Sequence, residues 1–163
     1  MSQPTPFTLS QRFSRLIGRK VTFTQAAAVL DTKVKQAYGI YKFLPNETPI
    51  VVQADLRLLG SFAGSLVGLP DAVVTEHLRT MPIEELLRDA INEVLNIASA
   101  AIADEGRVVF SKMVTDAVYV DGDAGVVLKK PHHRSYFTVT IEGYQGGRFC
   151  IFAPFNAGKV VTF

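Results

Sequence analysis

Thr80-Met-Pro-Ile-Glu-Glu-Leu-Leu-Arg-Asp-Ala-Ile-Asn-Glu-Val-Leu-Asn-Ile-Ala-Ser-Ala-Ala-Ile-Ala103 carries the strongest periodic signal in the chain. Its apolar residues Ile83, Leu86, Leu87, Ala90, Ile91, Val94, Leu95, Ala98, Ala101 and Ile102 recur every three or four positions, the spacing of one broad helical face. Thr80 can cap the start and Pro82 suits a first turn. Glu84 and Glu85 place negative charge at the positive end of the helix dipole. The pattern predicts one helix over Ile83–Ala103, about 20 residues and roughly 30 Å long at 1.5 Å per residue.

On the N-terminal side, Leu9, Phe13, Leu16 and Ile17 ahead of Gly18 read as a short amphipathic helix with a glycine stop. Lys20–Leu30 and Lys33–Phe43 are rich in Val, Thr, Tyr and Phe, and the spacing predicts that they pair as strands across Asp31-Thr32. After the turn Pro45–Pro49, Ile50–Ala54 reads as a third strand, with Asp55 as the N-cap of a helix over Leu56–Val67 that Gly68-Leu69-Pro70 stops. Asp71–Thr80 reads as a short helix or irregular connection. Beyond Asp104-Glu105-Gly106 the pattern turns to strands over Arg107–Val120, Gly125–Lys129, Ser135–Glu142 and Arg148–Ala153. The turns between them fall at Asp121–Asp123, Pro131–His133 and Tyr144–Gly147. Helices interleaved with about six strands joined by short turns predict an α+β sandwich, its helices packed on one face of a mostly antiparallel sheet.

Composition narrows the setting. The length, 163 residues, suits a single domain over 1–163, and 48% hydrophobic with 20% charged residues is globular. Seventeen Lys and Arg against fifteen Asp and Glu leave a net charge of +2 without charge blocks, which argues against nucleic acid as a partner. One cysteine, Cys150, excludes an internal disulfide framework and a multi-cysteine metal site, and it points to a reducing compartment, the cytoplasm. Met1–Phe7 is polar rather than a secretory signal, and no apolar stretch approaches the roughly 20 residues of a membrane span.

The polar face of the long helix holds the chemistry. Asp89, Glu93 and Asn96 stand at i, i+4 and i+7, within about 60° of one another on the side opposite the apolar stripe. On spacing alone such a line is an ordinary solvated face. The string Asp89-Ala-Ile-Asn-Glu93-Val-Leu-Asn96, however, resembles the Asp/Ser-x-x-x-Glu-x-x-Asn signature of the CheC/CheX/FliY chemotaxis phosphatases. The resemblance covers Val51 to Asp116 closely and the rest in its order of elements. A single signature and this length make the chain similar to CheX rather than to CheC or FliY. The family's longer pattern places a proline 23 residues after the asparagine, where this chain has Tyr119.

The resemblance implies a phosphatase that hydrolyses the aspartyl-phosphate of a CheY-type response regulator. It assigns Asn96 to orient the attacking water, Glu93 to a salt bridge with the partner's lysine, and Asp89 to a supporting contact with the partner. It implies a homodimer that pairs sheets across a two-fold axis. It also implies no metal or cofactor of the chain's own, the Mg²⁺ being held by the receiver domain. An acyl phosphate reacts through a loose transition state, so placing water in line is most of the task. A carboxamide can do so without adding negative charge beside the phosphoryl group. The alternative implied by the flagellar-switch relatives is a non-catalytic module of the same fold that docks on a signalling or switch partner.

Other residues read as structural. His132-His133 belongs to a basic turn, Lys129–Arg134, whose alternative reading is an anion-contacting patch. Cys150, between Phe149 and Ile151, reads as a buried small hydrophobe. Gly143–Gly147 reads as a hairpin turn rather than a phosphate loop, and Ser61 and Ser65 lack a nucleophile-elbow context.

Overall fold

The structure is a computed structural model that describes residues 4–27, 33–103 and 107–154. A six-stranded, fully antiparallel sheet runs in the order β1-β5-β6-β3-β2-β4. Its strands are β1 Val21–Gln25, β2 Gln36–Leu44, β3 Thr48–Asp55, β4 Arg107–Val114, β5 His133–Ile141 and β6 Tyr144–Ala153. The helices are α1 Pro6–Ile17, α2 Leu56–Val67, α3 Asp71–His77, α4 Glu85–Ala98 and α5 Gly122–Lys129. The expected α+β architecture is present.

Inward-facing residues alternate along every central strand. Ile50, Val52 and Ala54 of β3 and Phe149, Ile151 and Ala153 of β6 face α1, α2 and α4, forming the main core. Phe13 of α1 stands at its centre, with ring centroids 5.0 Å from Phe23, 5.2 Å from Phe62 and 5.7 Å from Phe149. α1 and α2 end as expected, at Gly18 and Gly68, both in the left-handed conformation that spares glycine the Cβ clash. α3 packs on α2 through Gly64, where an added Cβ would sit 2.4 Å from a Val74 methyl.

Several sequence expectations are corrected. The stretches Lys20–Leu30 and Lys33–Phe43 do not pair with each other: β1 pairs with β5 at one edge, and β2 lies between β3 and β4 near the other. Residues 28–32, and with them the expected turn, lie outside the described residues. Val120 and Gly125–Lys129 are not strand. The chain leaves β4 at Val114, makes a 3₁₀ turn over Ala117–Tyr119 and forms α5, whose Ala124 and Val127 pack with Val120 on Ile40, Val51 and Phe152. A short run of Val and Leu fits strand or helix equally, and here the uncovered second face of the sheet supplied an apolar partner for a helix. Thus α1, α2 and α4 share one face, as expected, and α5 lies on the other. Tyr144–Gly147 belongs to β6, and the β5–β6 hairpin turns at Glu142-Gly143, with Gly143 at φ +82°.

Candidate functional site

α4 is shorter than its apolar period. Glu84 caps it in place of Thr80, its carboxylate accepting from the Leu86 and Leu87 N–H groups at 3.1 and 3.2 Å. The helix ends at Ala98, not Ala103. Beyond it the chain tightens into three-residue hydrogen bonds, from Ser99 to Asn96, Ala100 to Ile97 and Ala101 to Ala98. A three-residue turn preserves the facing of every third side chain, so Ala98 and Ala101 stay buried on one side although the α-helix has stopped, and Ile102 is buried next to them.

Leu87, Ala90, Ile91, Val94, Leu95 and Ala98 clamp α4 onto the core. Two features of β2 bring it close. Gly39 leaves room for Leu95, whose methyl would lie 3.2 Å from an added Cβ, and buried Tyr41 donates from its hydroxyl to the Leu95 carbonyl at 2.6 Å. That carbonyl is in the last turn, where helices leave acceptors without an intrahelical N–H. Burial also pushes the Tyr41 phenol well above its ordinary pKa, so it stays a donor.

This anchoring turns Asp89, Glu93 and Asn96 outward together; all three are exposed. Among the described residues none of their side chains is held by a hydrogen bond or ion pair. The Asn96 carbonyl accepts from the Ser99 hydroxyl at 2.7 Å, which ties the backbone beneath the amide while leaving the amide itself free. Sequence reasoning missed one neighbour: Leu86, counted in the core stripe, is 54% exposed. Seven residues before Glu93, it projects within about 20° of that carboxylate and roughly 110° from the centre of the stripe, a displacement a helical projection can reveal. The accessible face therefore has an apolar element beside its carboxylates and amide.

The other sequence candidates have structural roles or lie elsewhere. Asp55 sits at the N-cap position of α2 without capping it. Its carboxylate instead accepts from the Gln36 amide and from the Arg148 backbone N–H at 2.9 Å, joining β2 to β6. Gly147 is required beside it, since a Cβ there would meet Asp55 Oδ2 at 2.9 Å. Buried Ser61 donates its hydroxyl toward the Gln145 carbonyl at 2.6 Å, which links α2 to β6. Tyr119 is 66% exposed in the 3₁₀ turn. His132 lies in the connection from α5 and His133 opens β5, so the pair does not sit in a hairpin between two strands. Cys150 is partly buried, and burial first, then the nearby Asp55 charge, pushes its thiol up to about 12, against a smaller opposing effect of Arg148. Among the described residues no group of three or more His, Cys, Asp or Glu is placed to hold a metal ion, and no helix is long and apolar enough to cross a membrane.

No family model matches the chain, and no curated protein sequence does either. Solved structures do match its fold. The FliM middle domain from Vibrio alginolyticus is similar at a TM-score of 0.57 and 13% identity, with 98% of each chain covered. FliM from Helicobacter pylori, solved in a FliM–SpeE complex, is similar at a TM-score of 0.54 and 14% identity over 91% of this chain and 81% of that one. FliY from Thermotoga maritima is similar at 0.51 and 15% identity, over 90% and 82%. The chain thus has the fold of FliY and of the FliM middle domain.

Proposed function

We propose that this chain is a CheX-like phosphatase acting on the aspartyl-phosphate of a CheY-type receiver domain. The observation that carries the proposal is the joint exposure of Glu93 and Asn96 on one anchored helix face, with both side chains free to engage a partner. In this reading α4 lies across the receiver's phosphorylation site. The Asn96 amide accepts from and donates to a water, holding it in line with the phosphorus, and Glu93 pairs with the receiver's lysine. Asp89 adds a further contact one turn away, and exposed Leu86 supplies apolar area beside it. The Mg²⁺ that neutralises the phosphoryl oxygens belongs to the receiver, and this chain contributes no ligand to it.

Water placement is a small chemical task, and Tyr41 and Gly39 serve it by fixing the height of α4 over the sheet. A homodimer belongs to the same proposal. β1 and β4 are the edge strands, and either could pair with its counterpart in a second copy.

A second reading, a docking module without catalysis, is favoured by one observation: two of the fold matches are FliM domains. Phosphate release from phosphorylated CheY-type receivers separates the two, measured with the wild-type chain, Asn96→Ala and Glu93→Ala. The phosphatase reading expects acceleration by the wild type that Asn96→Ala abolishes and Glu93→Ala weakens through binding. Binding without acceleration establishes the docking module instead. If no receiver is bound or dephosphorylated, the phosphatase reading fails, and with it docking on a receiver.

A further inference from the structure

The second face of the sheet carries a cavity that the α4 site does not use. Among the described residues α5 and Val120 cover this face over Ile40, Val51, Phe152 and most of Tyr38. Beside α5, the strand register aligns Tyr136, Cys150, Gln53 and Tyr38 in one rank across β5, β6, β3 and β2. With strands about 4.8 Å apart, that rank makes a floor roughly 14 Å wide. Above it opens a cavity of about 610 Å³. Leu128 and Pro131 wall it at the end of α5, and Ala26 and Val34 wall it where the chain leaves β1 and enters β2. Small-molecule sites typically enclose about 300–1,000 Å³, mostly apolar with a few placed polar groups, and this cavity fits that description.

Cations outnumber carboxylates in its lining. Arg134, Arg148 and Lys129 line it, and among the described residues no carboxylate forms an ion pair with any of them. The register sets Arg134 beside Phe152 and Arg148 beside Thr138, so the two arginines lie on either side of the Tyr136–Cys150 pair, at the β5–β6 end of the floor. Asp55 is the acidic residue among the described lining residues; its carboxylate has partners, although its charge is still felt at Cys150. It accepts from Gln36 and from the Arg148 N–H, and the Arg57 guanidinium lies 3.8 Å away. The Tyr38 and Tyr136 hydroxyls have no hydrogen bond among the described residues; Tyr136 is the more accessible donor, Tyr38 being largely buried with the Asp116 charge near it. Three cations, two phenols and an aromatic floor are complementary to a flat body with negative charge on it.

We propose that this cavity binds a small anionic aromatic ligand, its ring on the Tyr136–Cys150–Gln53–Tyr38 floor and its carboxylate or phosphate group held by Arg134 and Arg148. The site lies on the sheet face opposite α4, so the proposal stands independently of the phosphatase reading. Non-covalent binding is all it requires. The basic turn Lys129–Arg134 contributes two of its cations from this position at the cavity wall.

Calorimetric titration of the full chain with naphthalene-2-carboxylate, naphthalene-2-phosphonate and the neutral naphthalene-2-methanol tests it. The expected result is that at least one anion binds tenfold or more tighter than the alcohol, about 1.4 kcal/mol, with the preference shrinking as salt rises. Which anion binds better identifies the headgroup. Arg134→Gln and Arg148→Gln should each weaken anion binding at least threefold, and the double variant should reduce it to the level of the alcohol. Arg134 is exposed, and Arg148 holds Asp55 through its backbone rather than its side chain, so unchanged melting curves are expected for both variants. Equal affinity for anions and alcohol, a preference that survives the double substitution, or no anion binding below about 1 mM would each overturn the proposal.

Discussion

At the residue scale the proposed function rests on the chemistry of single groups. In the proposed phosphatase, Asn96 would offer a neutral amide to the receiver's phosphoryl group, and an aspartate of the same size would bring repulsion to the same place. Asn96→Asp is therefore expected to lose phosphatase activity as completely as Asn96→Ala, with an unchanged unfolding midpoint because the side chain is exposed. Phosphate release and urea titration, run side by side, check both halves. Cys150 carries a different expectation. Its thiol is raised to about 12 in the folded chain, chiefly by burial, so at pH 8 it should react with a disulfide reagent far more slowly than in urea. The sign for stability follows. A folded-state pKa raised above the ordinary value of 9.0 favours the folded state below that pH, and the contribution is lost as pH climbs toward 12. Cys150→Ala should remove that part of the alkaline destabilisation, as melting curves between pH 8 and 11 would show. The sequence made Asp89, Glu93 and Asn96 legible as one line, since helical spacing is local. It could not reveal Asp55 as a bridge between strands, because its partners Gln36 and Arg148 are distant in sequence.

At the scale of elements, the position of α4 depends on one hydrogen bond from outside it. Tyr41 of β2 satisfies the Leu95 carbonyl, and Tyr41→Phe would leave that buried acceptor without a partner. A loss of about 1–3 kcal/mol is expected, read from urea unfolding, together with faster amide exchange over Ser99–Ala101. Helix existence was readable from period and glycine stops for α1 and α2, whose ends coincide with Gly18 and Gly68. The ends of α4 were not, because apolar spacing persists through the tightened turn after Ala98 and because Glu84 competes with Thr80 for the cap. α5 was misread as a strand for a related reason. Eight residues hold little more than two helical turns, too few to show a period, and its packing partners Ile40 and Phe152 lie outside the local window.

At the scale of the whole molecule, a single sheet carries two unlike faces, one thickly covered by helices and one half-covered by α5. Phe13 joins α1 to β1, α2 and β6 through three ring contacts. Phe13→Ala should cost about 3–5 kcal/mol, and differential denaturation should show it as a large fall in urea midpoint at an unchanged slope. Division of labour between faces follows from the strand period of two. Residues facing α4 and residues facing the cavity alternate along the same strands, as Phe149 and Cys150 do, so the two proposed sites would share a scaffold without sharing side chains. By itself the sequence determined what local period and local chemistry encode: the α+β class, the first two helices with their stops, most of the strands, and the polar line on α4. Only the tertiary structure decided which strands pair, which face α5 covers, and that Tyr136, Cys150, Gln53 and Tyr38 form one floor. Pairing and burial are set by contacts between residues far apart in the chain, and the free energy of those contacts is shared among all of them rather than written at any one position.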